Sequence, residues 1–193
     1  MPSHYYAMLS RMKNIYRWGL MKNTHNENLS EHSLEVSLIA HALAVIKNKR
    51  LDGKVDANFV ATAALFHDTS EIITGDMPTP IKYYNPEIKR VYKEIEGVAE
   101  DALINMIPKD LRDEFLPLYN PDDEIKKIIK AADKISALIK CIEELKMGNM
   151  EFSDARESTY NSIKAMNLKE ADIFLEEFIE SFSLPLDRQH TGI

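Results

Sequence analysis

Residues 28–48 read NLSEHSLEVSLIAHALAVIKN, and this stretch decides the fold. Its apolar residues recur at intervals of three and four, which places four of them on one face of a helix: Val36, Ile39, Leu43 and Ile46. Asn28 followed by Glu31 resembles a capping box, so the pattern predicts a helix over about 30–48. His32 lies in the first turn on the apolar face and is therefore expected to point toward the core.

The same spacing continues through the rest of the chain, and no convincing alternating pattern predicts a sheet. Proline, glycine and acidic residues mark the helix ends. We predict an all-α helical bundle in a single domain spanning 1–193, with its motifs in a core over about 4–147, C-terminal helices over about 151–182 and a flexible tail over 185–193. The further predicted helices cover about 4–16, 57–72, 86–106, 122–147, 151–166 and 169–182.

Composition limits the possible functions. The 193 residues are 45% hydrophobic and 28% charged, which is typical of a globular domain. A formal net charge of −7 argues against binding to a nucleic-acid polymer, because such binding needs clustered cations. No run of about 20 apolar residues predicts a membrane span, and the polar start lacks a signal-peptide core, so we expect a cytoplasmic protein. The single cysteine, Cys141, lies in a helical apolar pattern and is interpreted as packing.

An ordered series of metal-ligand residue types runs along the predicted helices: His32, His67, Asp68 and Asp133. Aspartates on inward faces are unfavourable unless they are paired or bind a metal, so we interpret the series as ligands of one divalent ion. Each member alone has an ordinary alternative. An inward histidine is commonly a hydrogen-bonded core residue, and Asp133 could pair with Lys130, Lys134 or Lys140.

These residues resemble the signature of the HD-domain metal-dependent phosphohydrolases, which are all-helical. The resemblance is closer to one branch, the bacterial HD-domain 5'-deoxynucleotidases, and it extends from about residue 4 to residue 147. The segments that carry it are Leu9-Ser10-Arg11, Arg17-Trp18, Asn28-Leu29-Ser30-Glu31-His32-Ser33, His67-Asp68-Thr69-Ser70-Glu71 and Gly75-Asp76-Met77-Pro78-Thr79-Pro80.

The residue chemistry is consistent with this resemblance. Two imidazoles and two carboxylates suit a divalent ion such as Co²⁺, Mn²⁺, Fe²⁺ or Zn²⁺, whereas Mg²⁺ prefers oxygen ligands. Such an ion could hold a phosphate oxygen and a water whose pKa falls on binding. Glu71, one helical turn after the His67-Asp68 pair, is expected to transfer a proton as a catalytic residue. Its ordinary alternative is a solvated residue near a helix end.

A nucleotide site is expected next to the ion. An arginine fork such as Arg17 matches phosphate oxygens, and an indole such as Trp18 can pack on a base or sugar. The resemblance implies that Arg17 acts on the phosphate and that Trp18 helps to exclude a 2'-hydroxyl. The expected substrate-binding set is Arg17, Trp18, His32, Asp68, Asp76, Met77, Pro78, Thr79 and Asp133. Without the other motifs, Arg17-Trp18 would be an ordinary helix end and residues 76–79 a turn.

The predicted activity is hydrolysis of a deoxynucleoside 5'-monophosphate to deoxynucleoside and phosphate, in a protein that the resemblance suggests is a homodimer. Three alternatives stay open at this point. Another HD phosphohydrolase could act on a nucleoside triphosphate, a cyclic nucleotide or an alarmone, although Ile72 stands where the alarmone-hydrolase motif has an aspartate. A non-catalytic nucleotide-sensing HD module would keep the metal without turnover, and a helical interaction protein would bind no metal.

Overall fold

The computed structural model describes residues 2–82 and 84–189. Within these residues the chain is helical with no strand, which confirms the predicted all-α class. The α-helices are α1 (Tyr5–Leu9), α2 (Leu29–Arg50), α3 (Ala57–Phe66), α4 (Glu71–Thr74), α5 (Thr79–Lys82), α6 (Pro86–Met106), α7 (Arg112–Tyr119), α8 (Asp123–Lys146), α9 (Ser153–Lys164), α10 (Lys169–Glu177) and α11 (Leu186–Gln189). Short 3₁₀ helices cover Ser10–Asn14, Met150–Phe152 and Ile179–Ser183.

Helix α2 forms the centre of the core, packed mainly against α3, α8 and α10. By length and hydropathy it could also cross a membrane, which the sequence analysis did not anticipate. More than half of its apolar window is buried inside the protein, however, and a core helix passes the same test. The main core cluster contains fully buried residues of all four helices, among them Leu43, Ala64, Ile135 and Ala171.

The predicted helix starts are confirmed where a side chain caps the backbone. The Asn28 side chain accepts from the backbone N–H groups of Ser30 and Glu31, and the Glu31 carboxylate accepts from the Asn28 N–H. Asp56 and Asp122 cap α3 and α8 as acceptors for backbone N–H groups, without the reciprocal bond. The Asp122 cap fixes the start of α8, which carries Asp133. The Asp56 cap fixes the start of α3, which ends just before His67 and Asp68.

The prediction of one helix over 57–72 is wrong. Helix α3 ends at Phe66, and the chain turns through His67–Ser70 before α4 begins at Glu71. The Thr69 hydroxyl and backbone N–H both donate to the Phe66 carbonyl, which replaces helical bonding with a local turn. Glu71 therefore does not share a continuous helix face with His67 and Asp68.

Other boundaries also differ from the predictions. The first helix becomes 3₁₀ at Ser10, because residues 15–17 turn away and pair with 27–29 through backbone hydrogen bonds. Helix α7 was not predicted, and it contains Pro117. Cys141 is buried as expected, and burial raises the pKa of its thiol to about 12. The predicted flexible tail stays a prediction, since residues 186–189 form α11 and 190–193 lie outside the described residues.

Candidate active site

Three parts of the chain bring the predicted ligands together. His32 comes from the first turn of α2, His67 and Asp68 come from the turn after α3, and Asp133 lies in the middle of α8. One potential ligand atom from each of the four lies within 4.8 Å of all the others. Residues separated by about a hundred positions in sequence therefore converge on a single point.

The contacts inside this cluster are close. His32 Nε2 lies 3.2 Å from Asp133 Oδ1 and 3.6 Å from Asp68 Oδ2, while His67 Nε2 lies 3.0 Å from that same Asp68 oxygen. None of the lysines considered as partners of Asp133 forms an ion pair with it among the described residues. Lys140 pairs with Glu144, and Lys134 donates to Ser162.

Hydrogen bonds orient both histidines. His67 Nδ1 lies 2.8 Å from the Ala64 carbonyl, which can only accept, so Nδ1 carries the proton of the neutral ring and Nε2 presents a lone pair once the imidazolium has lost its second proton. The Ser136 hydroxyl donates to Glu35, so its oxygen is left to accept from His32 Nδ1 at 3.1 Å. In both residues Nε2 is the atom that faces the cluster, which is the arrangement of a metal-binding histidine.

The residues fit a metal ion. The Nε2 atoms of His32 and His67 are buried and make no hydrogen bond within the described residues. Unpaired buried nitrogens are unfavourable, and a cation between them and the two carboxylates would satisfy all four groups. A mixed nitrogen and oxygen donor set suits a borderline divalent ion.

The charges of the cluster are strongly coupled. Burial alone would lower the pKa of His67, but the adjacent Asp68 carboxylate outweighs burial and raises it to about 9. Burial conversely opposes ionisation of Asp68 and Asp133. Even so, His67 and Arg17 hold the pKa of Asp68 below its ordinary value, and His32 does the same for the pKa of Asp133. Both carboxylates are therefore ionised near neutral pH, as metal ligands must be.

Arg17 lies at the rim of the cluster. Its guanidinium nitrogens lie 3.4 Å from Asp68 Oδ2 and 3.9 Å from Asp133 Oδ1. The side chain is 13% exposed, so a positive charge sits beside the cluster and still reaches solvent. This geometry allows a ligand anion to contact the guanidinium and a metal ion at the same time.

Trp18 is not a core residue. Its backbone adopts φ +60°, an uncommon left-handed conformation for a non-glycine residue, and its ring packs at 5.3 Å centroid distance on Phe152. The indole Nε1 donates to Glu27 at 2.9 Å. Phe152 and Glu27 together hold the indole at the edge of a cavity.

This cavity, of about 620 Å³, opens beside the cluster. Arg17 and Asp133 line it together with Trp18 and the predicted loop residues Asp76, Met77, Pro78 and Thr79. Sequence reasoning missed the residues that α8 and α9 contribute, which are Lys134, Ala137, Ala155, Ser158 and Thr159. The volume accommodates a nucleoside in addition to a phosphate.

Glu71 begins α4 and is 4% exposed. Burial, together with the carboxylates of Asp68 and Asp76, raises its pKa to about 9. Its Oε2 atom is buried and makes no hydrogen bond within the described part of the chain. The carboxyl group therefore holds a proton near neutral pH in the absence of an ion and has one oxygen free to contact a ligand or water.

Sequence and fold comparisons agree with this geometry. Residues 4–182 match the family model described as 5'-deoxynucleotidase YfbR-like. The chain belongs to this family. A 5'-deoxynucleotidase from Vibrio atlanticus is 47% identical over 188 residues, covering 96% of this chain and 97% of the relative. The 5'-deoxynucleotidase YfbR of Escherichia coli is 48% identical, covering 96% and 94%.

Solved structures place the YfbR-like chain in the HD-domain fold. An HD-domain phosphohydrolase from Listeria innocua superposes with a TM-score of 0.80 at 25% identity, covering 94% of this chain and 90% of that one. The cyanophage S-2L HD phosphohydrolase DatZ, solved with dA and one catalytic Zn²⁺ ion, superposes with a TM-score of 0.65 at 20% identity, covering 91% and 96%. The DatZ match supports the fold alone.

Within this YfbR-like fold, Glu27 is a residue in contact with the cluster that sequence reasoning overlooked. It is 9% exposed and contacts Arg17, Trp18 and His32. Its only sequence signal is its position just before the capping box that begins α2. Spacing could not find it, because it lies in an irregular segment with no periodic pattern.

Proposed function

We propose that this protein is a metal-dependent 5'-deoxynucleotidase that hydrolyses deoxynucleoside 5'-monophosphates to deoxynucleosides and phosphate. The observation that carries this proposal is the continuity of the metal-type cluster with the cavity, since Asp133 belongs to both and the cavity residue Arg17 lies 3.9 Å from it. The names of the relatives at 47% and 48% identity support the same activity.

His32, His67, Asp68 and Asp133 would hold the ion, with Co²⁺, Mn²⁺ or a similar transition metal as the expected species. When bound, such an ion supplies a Lewis acid for a phosphoryl oxygen and a nucleophilic water near neutral pH. Asp68 and Asp133 would also help to orient the substrate. Without the ion, the negative charge of these two carboxylates would repel the substrate phosphate.

The chain's own groups then act on the substrate. Arg17 binds phosphoryl oxygens and stabilises the charge that develops on them in the transition state. Glu71 holds a proton at a buried carboxyl group and would give it to the leaving 5'-oxygen or exchange it with the attacking water. Trp18 and the loop Asp76–Thr79 surround the sugar, with the indole limiting space for a 2'-hydroxyl.

The alternatives differ in product. A substrate panel of dAMP, dTMP, AMP and dATP, assayed with Co²⁺ or Mn²⁺, should release phosphate from the deoxynucleoside monophosphates, slowly from AMP, and no pyrophosphate or triphosphate from dATP. Release of pyrophosphate or triphosphate would instead indicate another HD phosphohydrolase. Stoichiometric metal without turnover would indicate a sensing module, and no metal would indicate an interaction protein.

A homodimer and a cytoplasmic location belong to the same proposal. Helix α6 carries an exposed apolar stripe at positions 91, 95 and 98, and these residues, Val91, Ile95 and Val98, are 39%, 49% and 70% exposed. Spacing of four and three places them on one face, as expected for a surface that a second copy covers. Sedimentation velocity of the full chain should give the mass of a dimer, and a monomer at micromolar concentration would contradict this assignment.

A further inference from the structure

Glu27 joins the metal-type cluster to the substrate cavity. Its Oε2 atom accepts from Trp18 Nε1 at 2.9 Å and lies 3.6 Å from Arg17 Nε. The other oxygen, Oε1, lies 3.3 Å from His32 Nδ1. One buried carboxylate therefore contacts a residue proposed to bind the metal, one proposed to bind the phosphate and one proposed to face the sugar.

The backbone holds these groups in fixed register. The Arg17 N–H donates to the Glu27 carbonyl at 3.0 Å, and the Leu29 N–H donates to the Ile15 carbonyl at 2.9 Å. This short pairing sets Glu27 beside Arg17 and starts α2 two residues later, with His32 in its first turn. The backbone pairing therefore holds Arg17 and Glu27 side by side, with His32 in the first turn of the helix that follows.

A carboxylate suits position 27 because its two oxygens can each accept from a different donor. Trp18 Nε1 can only donate, and His32 Nδ1 must donate if Nε2 is to face a metal ion; its proton is shared between Glu27 Oε1 at 3.3 Å and Ser136 Oγ at 3.1 Å. Two donors require two acceptor oxygens. A glutamine at position 27 has the same shape but one acceptor, so its NH₂ group would face either the indole N–H or the imidazole N–H.

We propose that Glu27 is a positioning residue that couples metal binding at His32 to the orientation of Trp18 in the substrate cavity. This inference rests on the proposed function of the cluster. With a metal ion held by His32, the imidazole Nδ1–H would become a stronger donor to Oε1, and Glu27 would then fix the indole through Oε2. Coupling between two sites is reciprocal, so a ligand that orders Trp18 also strengthens metal binding.

The coupling is measurable without turnover. Trp18 is the only tryptophan, so the intrinsic tryptophan fluorescence of the whole protein reports on this single side chain. Zn²⁺ is a suitable probe because it matches the donor set and, being diamagnetic, does not quench fluorescence as Mn²⁺ or Co²⁺ can. Calorimetric titration of the metal-free full chain with Zn²⁺ gives stoichiometry and affinity in parallel.

In the wild type, one equivalent of Zn²⁺ should shift the Trp18 emission at saturation. Glu27→Gln should bind Zn²⁺ about 10-fold more weakly and lose the emission shift even when saturated. Glu27→Asp keeps two acceptor oxygens and the charge, so its affinity should fall between those of the wild type and Glu27→Gln. Glu151→Gln is the matched control, because Glu151 is exposed and contacts the neighbouring Lys22 N–H but not the cluster.

An unchanged emission shift and affinity in Glu27→Gln would overturn the coupling. A Gln variant that binds as well as or better than Asp would also overturn it, since filling space would then matter more than accepting two hydrogen bonds. If Glu27→Gln does not fold, Glu27→Asp is compared with the wild type instead. A Glu27→Asp variant with the full emission shift and the full Zn²⁺ affinity of the wild type would then overturn the coupling. Phosphate release from dAMP by the wild type tests the proposed function separately.

Discussion

Glu144 offers a stability test whose size follows from the structure. This carboxylate is 1% exposed and accepts from the Thr24 N–H at 2.9 Å, the Thr24 hydroxyl at 2.8 Å and the Asn149 amide at 2.8 Å, and it pairs with Lys140. Burial raises the pKa of Glu144, but these donors outweigh burial and lower it from 4.5 to about 2. Such a shift corresponds to roughly 3 kcal/mol of folding free energy at pH 7.

Glu144→Gln should therefore lower the free energy of unfolding by about 2–3 kcal/mol at pH 7, since one donor would then face the amide NH₂ group. The contribution is present above the unfolded pKa and is lost as pH falls toward the folded pKa of about 2. The gap between wild type and variant should consequently be about 1 kcal/mol smaller at pH 4 than at pH 7.

Urea unfolding followed by circular dichroism, with a chelator present to remove metal-linked protonation, measures this gap at each pH. Glu143→Gln is the matched control, because Glu143 is the exposed neighbour on the same helix, and its effect should stay within about 0.5 kcal/mol. A pH-independent gap, or one under about 0.5 kcal/mol at pH 7, would refute the electrostatic reasoning.

Three further predictions concern the proposed active site. Glu71→Gln should lower kcat by about 10²–10⁴-fold while stoichiometric metal stays bound, and full turnover in steady-state assays would remove its catalytic role. Trp18→Ala should relax the preference for dNMP over NMP, which the ratio of kcat/KM for dAMP and AMP measures; an unchanged ratio would remove the role of the indole. Adding metal at about 100 times its Kd to the chelated protein should raise the free energy of unfolding by about 2.7 kcal/mol and Tm by about 5–10 °C in a thermal melt, whereas an unchanged Tm would argue against the ion site.

Helix periodicity explains which parts of the site were predictable. His32 and Asp133 lie on regular helices whose apolar faces point to the core, so sequence spacing alone indicated that both point inward. Glu71 was predicted near the cluster for a reason that proved wrong, because the chain turns after α3 instead of continuing as a helix. Side-chain hydrogen bonds such as that of Thr69 to Phe66 override helical propensity, and no periodic pattern reports them.

The cavity wall formed by α9 could not be predicted for a different reason. Ser158 and Thr159 carry no motif, and they reach the cavity only because α9 packs back along α8. Helix α7 was missed because Pro117 falls inside it, where proline ordinarily argues against a helix. Packing between elements distant in sequence brings α9 to the cavity, whereas α7 forms despite a locally unfavourable residue.

Arg17 unites the metal and substrate halves of the proposed site. Its guanidinium lies within 4 Å of carboxylate oxygens of Asp68, Asp133 and Glu27, yet its Nε atom makes no hydrogen bond within the described residues. Asp68 and Asp133 cannot give the same oxygens fully to a metal ion and to Arg17. Once these carboxylates bind an ion, the guanidinium donors become available to a phosphate, so anion binding at Arg17 should depend on metal at the cluster. A lysine would keep the charge but not the planar fork that reaches both carboxylates, so the two residues are not equivalent at this position.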